Sequence, residues 1–361
     1  MTEITELDPG LHEALYRVSN GACGLLAFIA IHSTRLGPAA GGLRMRGYAD
    51  EAAAVTDALR LSEGMTYKNA AADLPLGGGK AVIVGHPAIH KSPELLRAFG
   101  DAVQRLDGRY WTAEDMGMTP RDMAEIALTT RFVAGLPNGT YASGDPSPVT
   151  ARGVLNAIRI GLRHRTGNDD LTGRRVTVQG LGHVGWNLCS LLRDLGAHLA
   201  ISDIDDTRKA KAAALFDAEA ILGEMITRVP ADVHAPCAIG GTLTGGAIFH
   251  MSTVVVAGAA NNQLPSDEEA RQLHERGILY VPDFIANGGG IINVAAEICQ
   301  IEARGPWVER KLEALSTTLD AVLTAASDQK CSPHFVAMEV VLEKLGQVQN
   351  AVSERCGPCT S

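Results

Sequence analysis

The chain has 361 residues, 46% of them hydrophobic and 20% charged, with 41 acidic against 32 basic side chains and a formal net charge of −9. That length and apolar content specify a globular chain larger than one typical domain and exclude disorder; the acidic balance, without a basic run or aromatic–basic interleaving, excludes a nucleic-acid surface. The opening MTEITELDPG has neither a basic nor an apolar leader and no apolar segment approaches membrane-spanning length, so a cytoplasmic protein with no membrane partner is expected.

The first expected strand covers Leu25 to Ile31, followed by a helix from about Glu51 to Ala71. On that helix Leu61, Met65 and Lys68 fall at i, i+4 and i+7, which puts the Lys68 ammonium on the apolar stripe, a costly place unless an anion meets it. Gly77, Gly78 and Gly79 come next, where missing side chains would let a substrate approach the backbone. Lys80 follows, 12 positions after Lys68, and opens an apolar strand from Ala81 to Val84. A catalytic pair explains both lysines; a snorkelling lysine at a helix C-terminus and another at a strand start explains them too. His86 and His90 have i, i+4 spacing but read as loop residues around Pro87, so no metal site is expected there. A helix from Pro93 to Leu106 and a strand from Tyr110 to Thr112 lead to Ala113-Glu114-Asp115. Asp115 then lies at a strand's carboxyl end, the usual place for chemistry in an open α/β sheet, although a loop or cap charge fits as well. A helix from Pro120 to Thr129 precedes Leu136 to Pro148, a stretch rich in Gly, Pro, Ser and Asn that marks a domain boundary.

The second half opens with a helix from Thr150 to Arg163 and a strand from Arg174 to Val178. Gly180, Gly182 and Gly185 complete G-x-G-x-x-G, a helical period runs through Val184, Leu188, Leu191 and Leu195, and a strand from His198 to Ser202 ends at Asp203, 18 residues beyond Gly185. Strand, turn, helix, strand and terminal acid in this order form a dinucleotide-binding unit: Gly180 for the turn, Gly182 for close approach to the pyrophosphate and Gly185 for helix packing. Asp203 would accept from a ribose hydroxyl and repel a 2′-phosphate, favouring NAD over NADP; Arg208 is read as a solvated charge of the next helix. Strands are expected at Val254 to Ala257 and Ile278 to Val281. Asn261 and Asn262, at the edge of the first of these, can orient a nicotinamide carboxamide or a substrate carboxylate, or simply make a turn. The fold class is therefore α/β in two domains, residues 1–147 and a Rossmann-type domain over 148–330, with 331–361 expected to pack back on the first. The seven cysteines read as reduced thiols, and Cys356-Gly-Pro-Cys359 as a tail.

GPAAGGLRM, GMTYKNAAADLPLGGGK, YWTAEDMG, GDPSPVTARG, VQGLGHVG, APCAIGG, GAANNQL and YVPDFIANGGGIINV together resemble the leucine, valine and phenylalanine dehydrogenase branch of the amino-acid dehydrogenases. The resemblance implies a substrate domain and an NAD domain separated by a cleft, a homo-oligomer, and reversible oxidative deamination of an L-amino acid to a 2-oxo acid and ammonia. It implies that Lys68 holds the substrate carboxylate, that Lys80 polarises the attacking water, and that Asp115 shuttles protons, with two nearby ammonium groups depressing the pKa of Lys80. Gly41 and Gly42 would let the substrate lie against the backbone, Asn262 would assist in binding its carboxylate or the nicotinamide ribose, and the apolar residues Ala40, Met65, Ala113, Ile291 and Val294 would line the side-chain pocket. Cofactor contacts are implied for Thr150, Leu181, His183, Val184, Cys237, Ala238 and Asn261 beside the three glycines and Asp203. Related glutamate dehydrogenases carry a lysine where this chain has Ala40, which disfavours glutamate. The remaining pocket resembles the leucine type, with the aromatic type as the alternative.

Overall fold

The computed structural model describes residues 1–346 as two compact units. The first comprises Met1–Pro146 and Ile291–Lys311; the second comprises Ser147–Gly290 and, of the described residues, 312–346. Among the described residues, no helix is long and apolar enough to cross a membrane.

The first unit is built on a mixed sheet of β1 (Glu3–Leu7), β2 (Ala14–Asn20), β3 (Leu25–Ser33), β4 (Ala39–Arg46), β5 (Gly77–Val84) and β6 (Tyr110–Glu114), in the order β1-β2-β3-β5-β4-β6. β4 runs parallel to both β5 and β6. β3 is apolar at every other position and between, because both its faces are covered. Ala27, Ile29 and Ile31 join the core beneath helix Pro93–Arg105, while Phe28 and Ala30 pack with Ala54 and Ala58 of helix Glu51–Ala71. Asp50 caps the latter helix, accepting from Ala53 N at 2.8 Å.

The glycine triplet serves packing within the protein, not the substrate approach expected from the sequence. It lies inside β5, and a Cβ on Gly77 would fall 2.0 Å from Ser33 O, on Gly78 2.0 Å from Thr66 Oγ1, and on Gly79 2.7 Å from the Tyr110 ring. Its lack of side chains lets helix Glu51–Ala71 settle on the strand, where Asn69 Nδ2 donates to Gly77 O at 2.5 Å. The helix continues past Lys68 to Ala71, leaving Lys68 in its last turn.

The second unit holds an all-parallel sheet of β7 (Arg175–Gln179), β8 (His198–Ser202), β9 (Glu219–Ala220), β10 (Val233–Pro236), β11 (Val255–Val256) and β12 (Leu279–Tyr280). The order β12-β11-β10-β7-β8-β9 is the doubly wound dinucleotide-binding order, with its reversal between β7 and β10.

The segment that returns to the first unit is Ile291–Lys311, and not helix Pro333–Lys344, the described part of the C-terminal stretch expected to do so over 331–361. Helix Pro333–Lys344 stays in the second unit because Phe335 joins Leu273, Ile278 and Tyr280 in its core. Residues 347–361, with Cys356 and Cys359, lie outside the described part. The return is fastened by Glu297, whose buried Oε2 accepts from Gly135 N at 2.7 Å, Ser143 N at 2.9 Å and Ser143 Oγ at 2.6 Å. Asn293 and Arg304 donate to Ser143 O from the same segment, at 3.0 and 2.9 Å. Glu297→Ala strands two buried N–H groups, each worth about 1–3 kcal/mol when unsatisfied, so a loss of about 3 kcal/mol is expected. Glu297→Gln, which keeps an acceptor, should recover part of it. Denaturant titration of the three proteins checks this, and an alanine variant as stable as the parent would show that the fastening contributes nothing.

Candidate active site

Lys80 and Asp115 meet in the first unit. Lys80 Nζ lies 2.7 Å from Asp115 Oδ2, and the lysine is only 3% exposed. β5 supplies the lysine, and β6 ends one residue before the carboxylate. Gly42 on β4 makes the junction possible, since a Cβ there would lie 2.7 Å from Asp115 Cβ. Gly41 is fixed likewise by Gly79 O, 2.0 Å from where its Cβ would stand, with Met65 Cγ at 2.9 Å.

A third charge, unforeseen in the sequence, completes the group. Arg44 Nε lies 3.2 Å from the same Asp115 Oδ2, and Arg44 NH1 lies 3.2 Å from Asp57 Oδ2, which also accepts from Tyr48 OH at 2.7 Å. Burial opposes ionisation of Asp115, yet Lys80 and Arg44 together outweigh it and hold the carboxyl well below the usual carboxylate range. Burial also lowers the pKa of Lys80; Asp115 opposes that shift and Arg44 adds to it. The depression expected from Lys68 therefore has burial and Arg44 as its causes. Two local signs bear on this network, Asp57 on the helical stripe of Leu61, Met65 and Lys68 and Arg44 between Leu43 and Met45, but neither points to the other.

Lys68 is buried in the last turn of its helix, one turn beyond Met65. Ala40, Ala113, Ile291 and Val294 are buried residues of the same unit, the first two on β4 and β6 and the others on helix Gly289–Ile298. His90 closes a single helical turn, Pro87–His90, in place of the expected loop, while His86 precedes it in extended conformation; His90 Nδ1 accepts from His86 N at 2.9 Å.

Glu114 is a second unforeseen group. Burial, reinforced by Asp145, Asp115 and Asp122, raises its pKa from 4.5 to about 8, and among the described residues its Oε2 has no hydrogen-bond partner. The folded value exceeds the unfolded one, so this carboxyl favours folding below pH 4.5 and loses that contribution as pH rises through about 8. Glu114→Gln, neutral throughout, is expected to melt above the parent at pH 9 and close to it at pH 4.5. Parallel melting curves at the two pH values would refute the shift.

In the second unit Gly180, at φ +99°, takes a left-handed turn that brings Ala238 within 2.7 Å of its missing Cβ, and its N–H donates to Ser202 O at 2.8 Å. A Cβ on Gly185 would fall 2.0 Å from Gly180 O and 3.3 Å from Cys237 Cβ. Gly182 differs. It is the N-cap of helix His183–Asp194, supplies no side-chain cap, and nothing lies within 4 Å of its missing Cβ. An uncapped helix N-terminus facing open space, with His183 exposed and Val184 half-buried in its first turn, fits a dinucleotide pyrophosphate. Asp203 Oδ2 accepts from Leu181 N at 2.6 Å and its Oδ1 from Asp205 N at 2.9 Å, so the acid also braces the turn. Arg208 is paired with Asp203 and Asp205 at 3.5 and 3.3 Å.

Thr150 lies in the first turn of helix Ser147–Thr166, where a Cβ on Gly289 would meet its Cα at 3.1 Å. Asn261 and Asn262 follow β11 in a turn clamped by Asn287, whose Nδ2 donates to Ala259 O and Asn261 Oδ1, each at 3.1 Å. Gly241 N donates to Asn262 O at 2.8 Å.

The sequence model for the Glu/Leu/Phe/Val dehydrogenase dimerisation domain matches residues 14–132, and that for Glutamate/Leucine/Phenylalanine/Valine dehydrogenase matches residues 203–354. Leucine dehydrogenase from Bacillus subtilis (strain 168) is 42% identical over 343 residues, 95% of this chain and 94% of that protein. The chain belongs to the Glu/Leu/Phe/Val dehydrogenase family. Phenylalanine dehydrogenase from Caldalkalibacillus thermarum (strain TA2.A1) is 43% identical over 342 residues, 92% of this chain and 91% of that protein. The crystal structure of L-tryptophan dehydrogenase from Nostoc punctiforme matches with a TM-score of 0.74 at 36% identity, covering 93% of this chain and 96% of that one. Members of this family are amino-acid dehydrogenases that use a nicotinamide dinucleotide, which the glycine-rich turn of the second unit suits.

Proposed function

We propose that this dehydrogenase catalyses NAD-dependent, reversible oxidative deamination of an apolar L-amino acid, leucine and its branched-chain relatives foremost. The buried Lys80–Asp115 contact at 2.7 Å carries the reading, because it sets an acid–base pair in a water-poor place. Lys68 holds the substrate carboxylate, Gly41 and Gly42 offer backbone beside it, and Asn262 assists. Asp115 takes the proton of the substrate ammonium. Lys80 in its neutral form accepts a proton from the attacking water, then stabilises the carbinolamine oxygen; its lowered pKa makes that form accessible. The nicotinamide, when bound, supplies the hydride acceptor. Gly180, Leu181, Gly182, His183, Val184 and Gly185 hold the dinucleotide, with Thr150, Cys237, Ala238 and Asn261 around it.

Asp203 supports NAD over NADP: its carboxylate repels a 2′-phosphate, and Arg208 is already paired with it. We also assign the protein to the cytoplasm as a homo-oligomer, in keeping with the matched dimerisation domain. Ala40 brings no cation for an acidic side chain, and Ile291 and Val294 supply branched aliphatic surface. The small Ala40 favours aromatic substrates as the second reading. Since one methylene changes specificity by about 1–3 kcal/mol, leucine, isoleucine and valine should all be turned over within about 200-fold of one another. Comparison of kcat/KM for these, L-phenylalanine, L-tryptophan and L-glutamate tests the assignment. An aromatic preference would install the second reading, and a glutamate preference would overturn both.

A further inference from the structure

We infer that Arg44 is a positioning residue for this reaction, holding the Asp115 carboxylate by Oδ2 in the orientation in which it exchanges a proton with the substrate. The inference rests on the acid–base role given above to Asp115 and Lys80. Arg44 and Gly42 are two apart on β4 and so share a face of the sheet. Gly42 clears the space into which Asp115 Cβ moves, and Arg44 reaches the carboxylate from beside it. Arg44 Nε and Lys80 Nζ converge on Oδ2, at 3.2 and 2.7 Å. A lysine alone is a flexible point charge that tolerates rotation of the carboxylate; a second donor at a fixed angle does not.

The guanidinium is itself held. NH1 spans both oxygens of Asp57, at 3.4 and 3.2 Å, while Tyr48 OH donates to Asp57 Oδ2 at 2.7 Å. Asp57 stands on helix Glu51–Ala71, the helix that carries Met65 and Lys68. Arg44 thus ties the proton-transfer carboxylate to the element bearing the proposed carboxylate anchor. The charged and titratable groups facing it are Asp115 after β6, Lys80 on β5, Asp57 on the helix and Tyr48 in the loop between. A planar fork serves two carboxylates at once through different nitrogens, which an ammonium of equal charge cannot reproduce.

Three variants separate positioning from mere stability: Arg44→Lys, Arg44→Met and Asp57→Asn, each checked for folding by circular dichroism and for NADH binding. Arg44→Lys keeps the charge and loses the fork; kcat should fall about 10²-fold, as for a misplaced reacting group, with a smaller change in the amino-acid KM. Asp57→Asn should fall between it and the parent. Arg44→Met removes a cation from beside Lys80, so the rising limb of the kcat/KM pH profile should move to higher pH; Arg44→Lys should leave that limb in place. Should Arg44→Met fail to fold, the other two still decide. Parental kcat in folded Arg44→Lys and Asp57→Asn, or an unmoved limb in folded Arg44→Met, would overturn the proposal. Titration of the Lys80 resonance in protein carrying [13Cε]lysine, identified by its loss in Lys80→Ala, gives a readout independent of turnover. An upward shift in Arg44→Met without amino-acid turnover by the parent would sink the functional reading while leaving the Arg44–Lys80 coupling intact.

Discussion

Lys80→Ala is expected to lower kcat by about 10³-fold or more while leaving NADH affinity near the parent value. General acid–base catalysis contributes about 10²–10⁴-fold, and this lysine is assigned both the proton from water and the developing carbinolamine oxygen. The substitution leaves Asp115 with Arg44 as its cation, so the carboxylate persists and the loss reports the missing base. The dinucleotide turn belongs to the second unit and has no part in the change. Steady-state kinetics beside fluorescence titration with NADH checks both halves. An alanine variant retaining a tenth of parental kcat would remove Lys80 from the chemistry.

Asp115→Asn should damage catalysis and stability together. It leaves Lys80 and Arg44 buried without the carboxylate that both engage, and breaking a buried ion pair by removing one partner costs about 3–5 kcal/mol. The deficit has a predictable pH dependence. Without Asp115 the folded pKa of Lys80 falls further below its ordinary 10.5, so across that interval the unfolded chain binds more protons and stability rises with pH. Lys80 is already lowered in the parent, so the variant should be furthest below the parent at neutral pH and should approach it as pH rises through the parent's folded value, below 10.5. Urea titrations at pH 7 and pH 10 measure this; a deficit equal at both would mean that Lys80 keeps its charge in the variant.

The dinucleotide unit was legible because each local signal there has a local cause. The left-handed Gly180, the uncapped helix start at Gly182 and the close pass of Gly185 all lie within a few residues, and the strands on either side are short β-branched or aliphatic stretches with buried centres, Val176–Val178 and Leu199–Ile201. The first unit was harder. β4 has no apolar run to mark it in the sequence, since Ala39 to Gly42 are small residues, yet it is an inner strand whose glycines answer to Asp115 and to Gly79, both distant in sequence. β1 and β2 are antiparallel strands at the sheet edge, with β1 largely exposed and carrying no apolar run. Arg44 and Asp57 were hidden for the same reason: what makes them a pair is a helix folding onto a strand, which no spacing within one segment records. The C-terminal helix misled by its apolar face, which is equally suited to either unit until Phe335 is seen among Leu273, Ile278 and Tyr280.

The central claim is that hydride leaves the Cα of an apolar L-amino acid for a nicotinamide dinucleotide. Incubation of the protein with NAD and L-[2-²H]leucine, followed by mass spectrometry of the dinucleotide and assay of the products, tests it most directly. The account predicts one deuterium in each reduced dinucleotide, matched by one 2-oxo acid and one ammonia. Reduced dinucleotide without deuterium, or bound NAD that stays oxidised with every apolar amino acid, would contradict it.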